Sequence, residues 1–285
     1  MNPNRFLFIL ASFLVVTLGL HAAEKKDRTP WRQLPLTKDG KVDPGWAHTG
    51  WGGFVPDNGT IRTDCDPRGL GLLFYKKERF GNCQIRVVFK TKDTNSNSGV
   101  YVRIADGILK QAGQHGPTFE RDANGKITAE SMEKAKAAAD REEGAWCAVH
   151  QGFEVQIAGG GDSYHRTGAI YSLAPATGGS AKPGEWQTMI ITLDGTKIFV
   201  DLDGQRITTF DSTSTDVPAR KAWHEPKREH KRPESGYIGL QNHDPGDMVW
   251  FSEVSVRPLP KSGAATGSQA RVSVPPGHIR GGRSI

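Results

Sequence analysis

Hydrogen-bonding side chains alternate with apolar ones in several short segments of this sequence. In "GFEVQI", residues 152–157, Glu154 and Gln156 alternate with three apolar residues. Successive side chains of a β-strand lie on opposite faces, so the apolar residues are predicted to face a core. A carboxylate and an amide then share the other face. They are either ordinary solvated residues of a sheet or the floor of a binding site.

Three further segments repeat this pattern. "SGVYVRI" places Tyr101 and Arg103 opposite apolar residues. "GAIYSL" adds Tyr171, and "IGLQNH" brings Gln241 and His243 together. A solvated sheet face more usually carries Lys, Glu, Thr and Ser. The mixture of Tyr, Arg, Gln, Glu and His instead resembles a sugar site, where a few placed polar groups bind hydroxyls and aromatic rings stack on the sugar.

The elements that must position these side chains are short strands bounded by turn residues. Asp194-Gly195 and Asp203-Gly204 lie between alternating segments, and Asp-Gly is a strong hairpin signal, so a three-strand meander is expected there. We expect ten to fourteen strands between residues 31 and 260. The fold class is therefore predicted to be all-β, an antiparallel two-sheet jelly-roll sandwich of the concanavalin A-like type. The concave sheet face of such folds commonly carries the ligand site.

One segment, residues 106–151, interrupts the strand pattern. Its middle, "TAESMEKAKAAADREEGAW", is rich in Ala, Glu and Lys, which are strong helix formers. Thr128 offers an N-terminal cap and Gly144 a stop. We expect one inserted surface helix of about four turns. Because its apolar face is mostly Ala, it is either decoration or a wall or lid over a site.

The two ends of the chain have their own compositions. "MNPNR" and the apolar run "FLFILASFLVVTLGL" predict a signal peptide, residues 1–23, cleaved after Ala23. The alternative is an uncleaved anchor helix; either way the rest of the chain is expected to be exported, with no membrane association after cleavage. Residues 261–285 lack periodicity and are predicted to be a disordered basic tail.

Charge and cysteine usage exclude some classes of protein. The net charge of +6 is concentrated in residues 220–233 and in the tail. Neither a helix-turn-helix nor aromatic RNA-binding spacing accompanies it, so no nucleic-acid partner is expected. Three cysteines leave two alternatives open, one disulfide with a free thiol or three buried thiols, and their spacings do not match a zinc site. Five further histidines are expected in exposed loops: His115, His150, His165, His224 and His230.

Five segments in this order resemble the 3-keto-disaccharide hydrolase family: "NSGVYVR", "GFEVQI", "TGAIYSL", "KPGEWQTMIITLDGTKIFVDLDGQRI" and "IGLQNHDPGDMVWFSEVSVRPL". The resemblance covers roughly residues 31–260. It implies a concanavalin-like sandwich, export to the periplasm or the exterior of a bacterium, and cleavage of glycosides already oxidised to a ketone at sugar carbon 3. Two departures from the family pattern, residues 106–151 and the loop after His243, lie beside the expected site and bear on substrate size.

The chemistry that this resemblance implies suits the polar residues. A ketone at carbon 3 acidifies the carbon 2 proton, so a base can remove it, the carbon 1 substituent leaves, and water adds back. The reaction needs a base with a pKa near the working pH, a donor for the enolate oxygen and an acid for the leaving group. His243 is the expected base and Glu154 the partner acid or base.

The remaining residues are assigned to substrate binding. Arg103 and Gln156 are expected to stabilise the enolate or to bind hydroxyls, and Tyr171 and Gln241 to complete the sugar site. No cofactor is certain, but a divalent metal held by Glu154 and His243 is an alternative.

Two rival functions stay open. The first is a non-catalytic carbohydrate-binding module, because fold alone does not fix function. The second is a retaining glucanase, which requires two carboxylates about 5 Å apart. Gln156 stands where the second carboxylate of such a strand would be expected, and this argues against the glucanase.

Overall fold

The structure, a computed structural model, describes residues 29–229 and 231–259. The predicted signal peptide and basic tail, with His230, lie outside these residues. The helical elements are a 3₁₀ helix, Asp106–Gln111, and the α-helices α1, Ala129–Asp140, and α2, Trp146–Gln151. The strands are β1 Arg32–Gln33, β2 Thr37–Lys38, β3 Lys41–Val42, β4 Trp46–Gly50, β5 Gly53–Asp57, β6 Thr60–Asp64, β7 Gly71–Tyr75, β8 Cys83–Thr91, β9 Asn97–Ile104, β10 Phe153–Ala158, β11 Gln187–Asp194, β12 Lys197–Leu202, β13 Gln205–Asp211, β14 Tyr237–Asn242 and β15 Val249–Pro258.

Two antiparallel sheets form the body of the fold. One sheet has the order β13-β12-β11-β8-β15-β6-β5, with β1 beside β15. The other has the order β10-β9-β14-β7-β4, and β2 and β3 form a small separate ribbon. The predicted all-β, jelly-roll sandwich is therefore confirmed.

Alternating strands fill the space between the sheets. Every second residue of β8 is buried, and Ile85, Val87 and Phe89 are fully inaccessible to solvent. From the facing sheet, Val155 and Ile157 of β10 join the same core. Full burial of one such side chain stabilises the fold by about 1.5–3 kcal/mol, so this alternation fixes which face of each strand points inward.

The β11-β12-β13 meander follows the two Asp-Gly pairs, as predicted. Asp203 and Gly204 both have positive φ angles, 49° and 84°, at the β12-β13 turn. A type I′ turn requires positive φ at both central residues and matches the twist of the strands that it joins. The turn residues thus set the register of this hairpin.

The expectation of a strand at "GAIYSL" is wrong. Residues 168–173 form turns, with an isolated bridge from Ile170 to Val155. Gly168 and Ser172 have φ angles of 85° and 59°, which bend the chain away from an extended path. The segment still lies along β10, because the Tyr171 N–H donates to the Glu154 carbonyl at 2.9 Å.

A β-bulge reverses the side-chain alternation at the end of β9. Against β14, Ile104 pairs with Tyr237 and Tyr101 pairs with Gly239, so β9 carries one extra residue. Arg103 takes up this residue with a φ angle of 54°. Such a bulge moves the side chains beyond it to the opposite faces. The Arg103 side chain therefore points toward the other sheet, where Nη2 donates to the Gly195 carbonyl at 2.6 Å.

The inserted helix is confirmed with shorter bounds. Thr128 caps it, since Thr128 Oγ1 accepts a hydrogen bond from the Ser131 N–H at 3.2 Å. The sequence analysis missed α2, which is mostly buried. Helix α2 packs with Leu72, Phe74 and Tyr101 on the outer face of the five-stranded sheet. The insertion is therefore part of a second core and not surface decoration.

Two further observations concern the cysteines and the membrane. All three cysteines are free thiols; Cys83 and Cys147 are buried and Cys65 is half-buried. Burial raises the pKa of the Cys147 thiol to about 12. In the described part of the chain, no helix combines the length and the apolar character that crossing a bilayer requires.

We predict that Phe89→Ala lowers the free energy of unfolding by about 3–5 kcal/mol, because it leaves a cavity in the central core. Leu109→Ala is the matched control, since Leu109 is 43% exposed. The control should change stability by roughly 0.5 kcal/mol or less. Urea denaturation of both variants measures the difference. Equal losses would contradict the assignment of the core.

Candidate active site

A cleft of about 380 Å³ opens on the outer face of the five-stranded sheet. Its floor consists of polar side chains from three neighbouring strands and from the loop after β14. These floor residues are Asn97, Tyr101, Glu154, Gln156, Gln241 and His243. Strand alternation thus has the predicted result: apolar residues face the sandwich core, and hydrogen-bonding residues face a cavity.

The walls of the cleft are largely apolar and come from the insertion and one loop. They include Phe119, Ile127, Trp146, Val149 and Trp223. The Trp146 and Trp223 rings lie 5.2 Å apart. A cavity of this kind, apolar walls around a few placed polar groups, is typical of small-molecule sites. The insertion therefore forms a wall of the site.

Glu154 is held in place by its neighbours on β9. Tyr101 lies directly opposite Glu154 in the strand register, and the Tyr101 hydroxyl donates to Glu154 Oε2 at 2.7 Å. Gln241 Nε2 in turn donates to the Tyr101 hydroxyl oxygen at 3.2 Å. The Glu154 side chain lies over Gly99, where a methyl group would approach its Cγ to 2.7 Å. Only a glycine leaves room for this position of the carboxylate.

The surroundings of Glu154 shift the pKa of its carboxyl group toward neutral pH. Burial raises the pKa of the Glu154 carboxyl to about 7, although the Tyr101 hydrogen bond and the positive charge of His243 oppose the shift. Desolvation penalises the charged form of a carboxyl group, which is why burial dominates. Glu154 can therefore hold or release a proton near neutral pH.

His243 follows β14 directly and is clamped by a carboxylate. Its Nδ1 lies 3.1 Å from Asp247 Oδ2 and 3.5 Å from Asp244 Oδ2. Asp247 is itself fixed, because its oxygens accept hydrogen bonds from the N–H groups of Asn97 and Asp244 at 3.1 and 3.0 Å. A carboxylate oxygen accepts in this contact, so Nδ1 carries a proton, and in the neutral ring Nε2 carries the lone pair.

The pKa of the His243 imidazole is also shifted. Burial lowers the pKa of the imidazole, but the Asp247 hydrogen bond and the charges of Asp244, Asp247 and Glu154 outweigh burial and leave the pKa above its ordinary value. Opposite charges favour the protonated ring, and this is the direction observed. Glu154 thus has a pKa of about 7, and the pKa of His243 lies above that of an ordinary histidine.

The carboxylates around His243 bear on the alternative of a bound divalent metal. Among the described residues, His243, Asp244 and Asp247 offer ligand atoms within 4.8 Å of one another. This cluster does not include Glu154. Asp247 already uses both oxygens, and His243 already uses Nδ1, in the hydrogen bonds that join the cluster. These bonds account for the cluster, and no catalytic step is assigned to a cation.

Two amide side chains that line the cleft each have an unused acceptor oxygen among the described residues. Gln156 Nε2 donates to Asn97 Oδ1 at 3.0 Å, and Gln241 Nε2 donates to Tyr101. Their Oε1 atoms are buried and have no hydrogen-bond partner within the described chain. Buried polar atoms in proteins are nearly always satisfied. Both oxygens are therefore suited to accept hydrogen bonds from ligand hydroxyls.

Tyr171 and His224 complete the opposite side. The Tyr171 hydroxyl lies 3.1 Å from His224 Nδ1, and both residues line the cleft. His224 is exposed in a loop, as expected, but its position beside the cleft was not foreseen, and Trp223 was not considered. The loop containing them has no strand or helix periodicity to reveal its position. The only sequence signal was the pair of aromatic rings in "KAWHEP" within a charged segment.

The structure brings five of the six predicted site residues to one cleft and moves the sixth away. The five are Glu154, Gln156, Tyr171, Gln241 and His243. Arg103 lies on the inner side of the sheet because of the β9 bulge. The expectation that Arg103 shares a face with Tyr101 is therefore corrected. Asp247 was missed as a partner of His243, because its role depends on the loop that returns it to the ring.

A jelly-roll sandwich with a polar cleft on one sheet defines a glycoside-hydrolase-like or carbohydrate-binding class of domain. The family model of the 3-keto-alpha-glucoside-1,2-lyase-like domain matches residues 31–257. The chain therefore belongs to this family, and the resemblance seen in the sequence is confirmed. The comparison with curated proteins gave no match.

Solved structures share the fold. A candidate glycosyl hydrolase from Parabacteroides distasonis ATCC 8503 is 23% identical; the match covers 81% of this chain and 100% of the other, with a TM-score of 0.52. A second one from that organism is 17% identical, with coverage of 78% and 91% and a TM-score of 0.50. The carbohydrate-binding module CBM66 from Bacillus subtilis is 11% identical, with coverage of 78% and 99% and a TM-score of 0.42.

We predict that Gly99→Ala costs about 1–3 kcal/mol of stability, because the new methyl group displaces the Glu154 side chain. In a Glu154→Ala background most of this cost should vanish, since the methyl group then meets no carboxylate. Gly53→Ala on β5 is the control, because a methyl group there meets nothing within 4 Å. Denaturation of the four proteins of this double-mutant cycle measures the coupling. An unchanged cost in the double variant would contradict the packing of Glu154 over Gly99.

Proposed function

We propose that this domain cleaves 3-keto-glycosides by abstraction of the carbon 2 proton, elimination of the carbon 1 substituent and addition of water. One observation carries the proposal. Glu154, with a pKa of about 7, and His243, clamped by Asp247, face the same cleft. A proton donor and a proton acceptor that face one cleft are what an acid–base elimination requires. The family description, a 1,2-lyase, agrees with elimination between carbons 1 and 2.

His243 is the base of the first step. Its Nε2 lone pair takes the proton from carbon 2, and the electron pair of the broken C–H bond forms the C2=C3 double bond. The carbonyl electrons move to the carbon 3 oxygen, which becomes an enolate. Asp247 stabilises the imidazolium that forms, because it accepts the Nδ1–H hydrogen bond at 3.1 Å.

Glu154 is the acid of the second step. As the enolate re-forms the ketone, its electrons form the C1=C2 bond and the C1–O bond breaks. The proton of Glu154 passes to the departing oxygen, so the leaving group departs as an alcohol. Water then adds: its oxygen bonds to carbon 1, one of its protons returns to Glu154, and His243 returns its proton to carbon 2. The net reaction is hydrolysis of the keto-glycoside.

The rest of the cleft holds the sugar in this proposal. The unpartnered Oε1 atoms of Gln156 and Gln241 accept hydrogen bonds from hydroxyls. The apolar walls at Trp146 and Trp223 exclude water and supply aromatic surface. Exclusion of water also strengthens every electrostatic interaction in the site.

A second candidate function, binding without catalysis, has its own support. The aromatic wall and the amide acceptors would hold an unoxidised glycan equally well, since neither requires a ketone. Incubation of the purified protein with 3-keto-glucosides and with their unoxidised parents, followed by product analysis, separates the two. Cleavage of the keto-glucosides alone supports the proposal, whereas glycan binding without any cleavage supports the binding module.

We predict that His243→Ala lowers turnover of a 3-keto-glucoside by about 10²-fold or more, the usual effect of a lost acid–base group. Glu154→Gln, which keeps the shape but removes the transferable proton, should lower turnover by a similar factor. His115→Ala and Glu185→Gln, both outside the cleft lining, are matched controls. Steady-state kinetics measures the effect. Full turnover in both cleft variants, correctly folded by circular dichroism, would refute the catalytic assignments.

We predict a bell-shaped dependence of kcat/KM on pH. The acid Glu154 must be protonated, and its pKa is about 7, so activity should fall as the pH rises above about 7. The base His243 must be neutral, and its pKa lies above the ordinary value, so activity should fall as the pH drops through that pKa. Rates measured from about pH 5 to 9 test both limbs. In Glu154→Gln the residual activity should lose the alkaline limb; if that limb persists, another group is the acid.

A further inference from the structure

The proposed reaction needs a hydrogen-bond donor for the carbon 3 oxygen, where negative charge develops. The sequence analysis assigned this role to Arg103 or Gln156. The bulge in β9 directs Arg103 to the Gly195 carbonyl in the opposite sheet. In the proposed function, which this inference rests on, another residue of the cleft must supply the hydrogen-bond donor to the carbon 3 oxygen.

Most hydrogen-bond donors on the cleft floor already donate to other protein atoms. Gln156 Nε2 donates to Asn97 Oδ1, and Gln241 Nε2 donates to the Tyr101 hydroxyl oxygen. The Tyr101 hydroxyl donates its hydrogen bond to Glu154 Oε2. The Tyr171 hydroxyl differs, because it faces the cleft and its partner among the described residues is the His224 ring nitrogen.

Tyr171 is held rigidly beside the acid–base groups. Its N–H donates to the Glu154 carbonyl at 2.9 Å, so the two residues are joined through the backbone. Arg228 Nη2 binds the Ser172 carbonyl and hydroxyl at 3.1 and 2.9 Å and fixes the following turn. The His165 ring packs edge-on against the Tyr171 ring at 5.2 Å. A rigid donor needs little reorganisation when charge develops, which makes it effective.

One tautomer of the neutral His224 ring leaves the Tyr171 hydroxyl proton free for a ligand. Burial lowers the pKa of His224, so its ring is neutral at neutral pH and can carry its one proton on Nδ1. In this tautomer the Nδ1–H donates to the Tyr171 oxygen at 3.1 Å, and the tyrosine proton is available to a ligand. Burial, with the negative charge of Glu154, raises the pKa of Tyr171 above its ordinary range, so the hydroxyl keeps its proton.

We infer that Tyr171 is a catalytic residue that donates a hydrogen bond to the carbon 3 oxygen of the substrate, and that His224 is the positioning residue that orients the Tyr171 hydroxyl. When His243 takes the carbon 2 proton, the electron pair forms C2=C3 and the carbonyl electrons move to the carbon 3 oxygen. The Tyr171 proton stays on Tyr171 and only its hydrogen bond strengthens. No further reactant is needed.

A substrate analogue without a leaving group isolates this step. In 1,5-anhydroglucitol oxidised at carbon 3, carbon 1 carries no substituent to expel, so the enzyme can only form and reverse the enolate. Exchange of the carbon 2 hydrogen in D₂O, followed by proton NMR, reports that step. We predict that Tyr171→Phe slows this exchange by about 10²–10³-fold, as for the loss of one oxyanion donor. Tyr164→Phe, outside the cleft lining, should exchange at the wild-type rate.

The outcomes distinguish this inference from the proposed function. If the wild type exchanges and cleaves but Tyr171→Phe exchanges equally fast, the inference is wrong and the proposed function stands. If the wild type neither exchanges nor cleaves, the proposed function fails and the inference fails with it. Thermal melts of both Phe variants confirm that the comparison is between folded proteins.

The positioning role of His224 has a separate test. His224→Asn retains an N–H donor near the Nδ1 position, whereas His224→Leu removes it. We predict that the Leu variant slows exchange about tenfold through kcat with little change in KM, the effect of one lost neutral hydrogen bond. The Asn variant should recover most of the rate. Equal rates in the Leu and Asn variants would overturn the positioning role.

Discussion

The pairing of β9 with β10 is the constraint on which the rest of the site depends. This register puts Glu154 directly opposite Tyr101 and lays its side chain over Gly99. A slip of one residue would turn both polar faces into the sandwich core, so the apolar residues between them hold the site in place. The same hydrogen bonds that assemble the sheet therefore position Glu154, Tyr101 and the two glutamine side chains.

The insertion helps to bury these residues, and burial shifts their pKa values. Helix α2 and the loop carrying Trp223 cover a sheet face that would otherwise be solvated. Removal of water raises the pKa of Glu154 and lowers that of His224, in each case because the charged form is penalised. For His243 the Asp247 clamp outweighs burial. Glu154 thus titrates near pH 7, while His224 stays neutral as a hydrogen-bond partner.

Strands and loops contribute different residues to the site. Strands supply the floor, where spacing between residues is fixed by the sheet. Loops supply Asp247, Tyr171 and His224, which orient or complete the strand residues. This arrangement agrees with the general tendency of rigid scaffolds to carry functional loops.

The sequence by itself determined the two-sheet fold and the inserted helix, because strand alternation and Asp-Gly turns are local properties. It also indicated that Glu154, Gln156 and Gln241 lie on the polar faces of their strands, whereas Tyr171 and His243 reach the cleft through loops. It could not determine the position of Arg103, since the bulge arises from how β9 pairs with β14, a strand more than a hundred residues away. Nor could it find His224 or the His243–Asp247 clamp. Loop residues have no periodicity, so only the tertiary contacts decide which side chains they bring to the cleft.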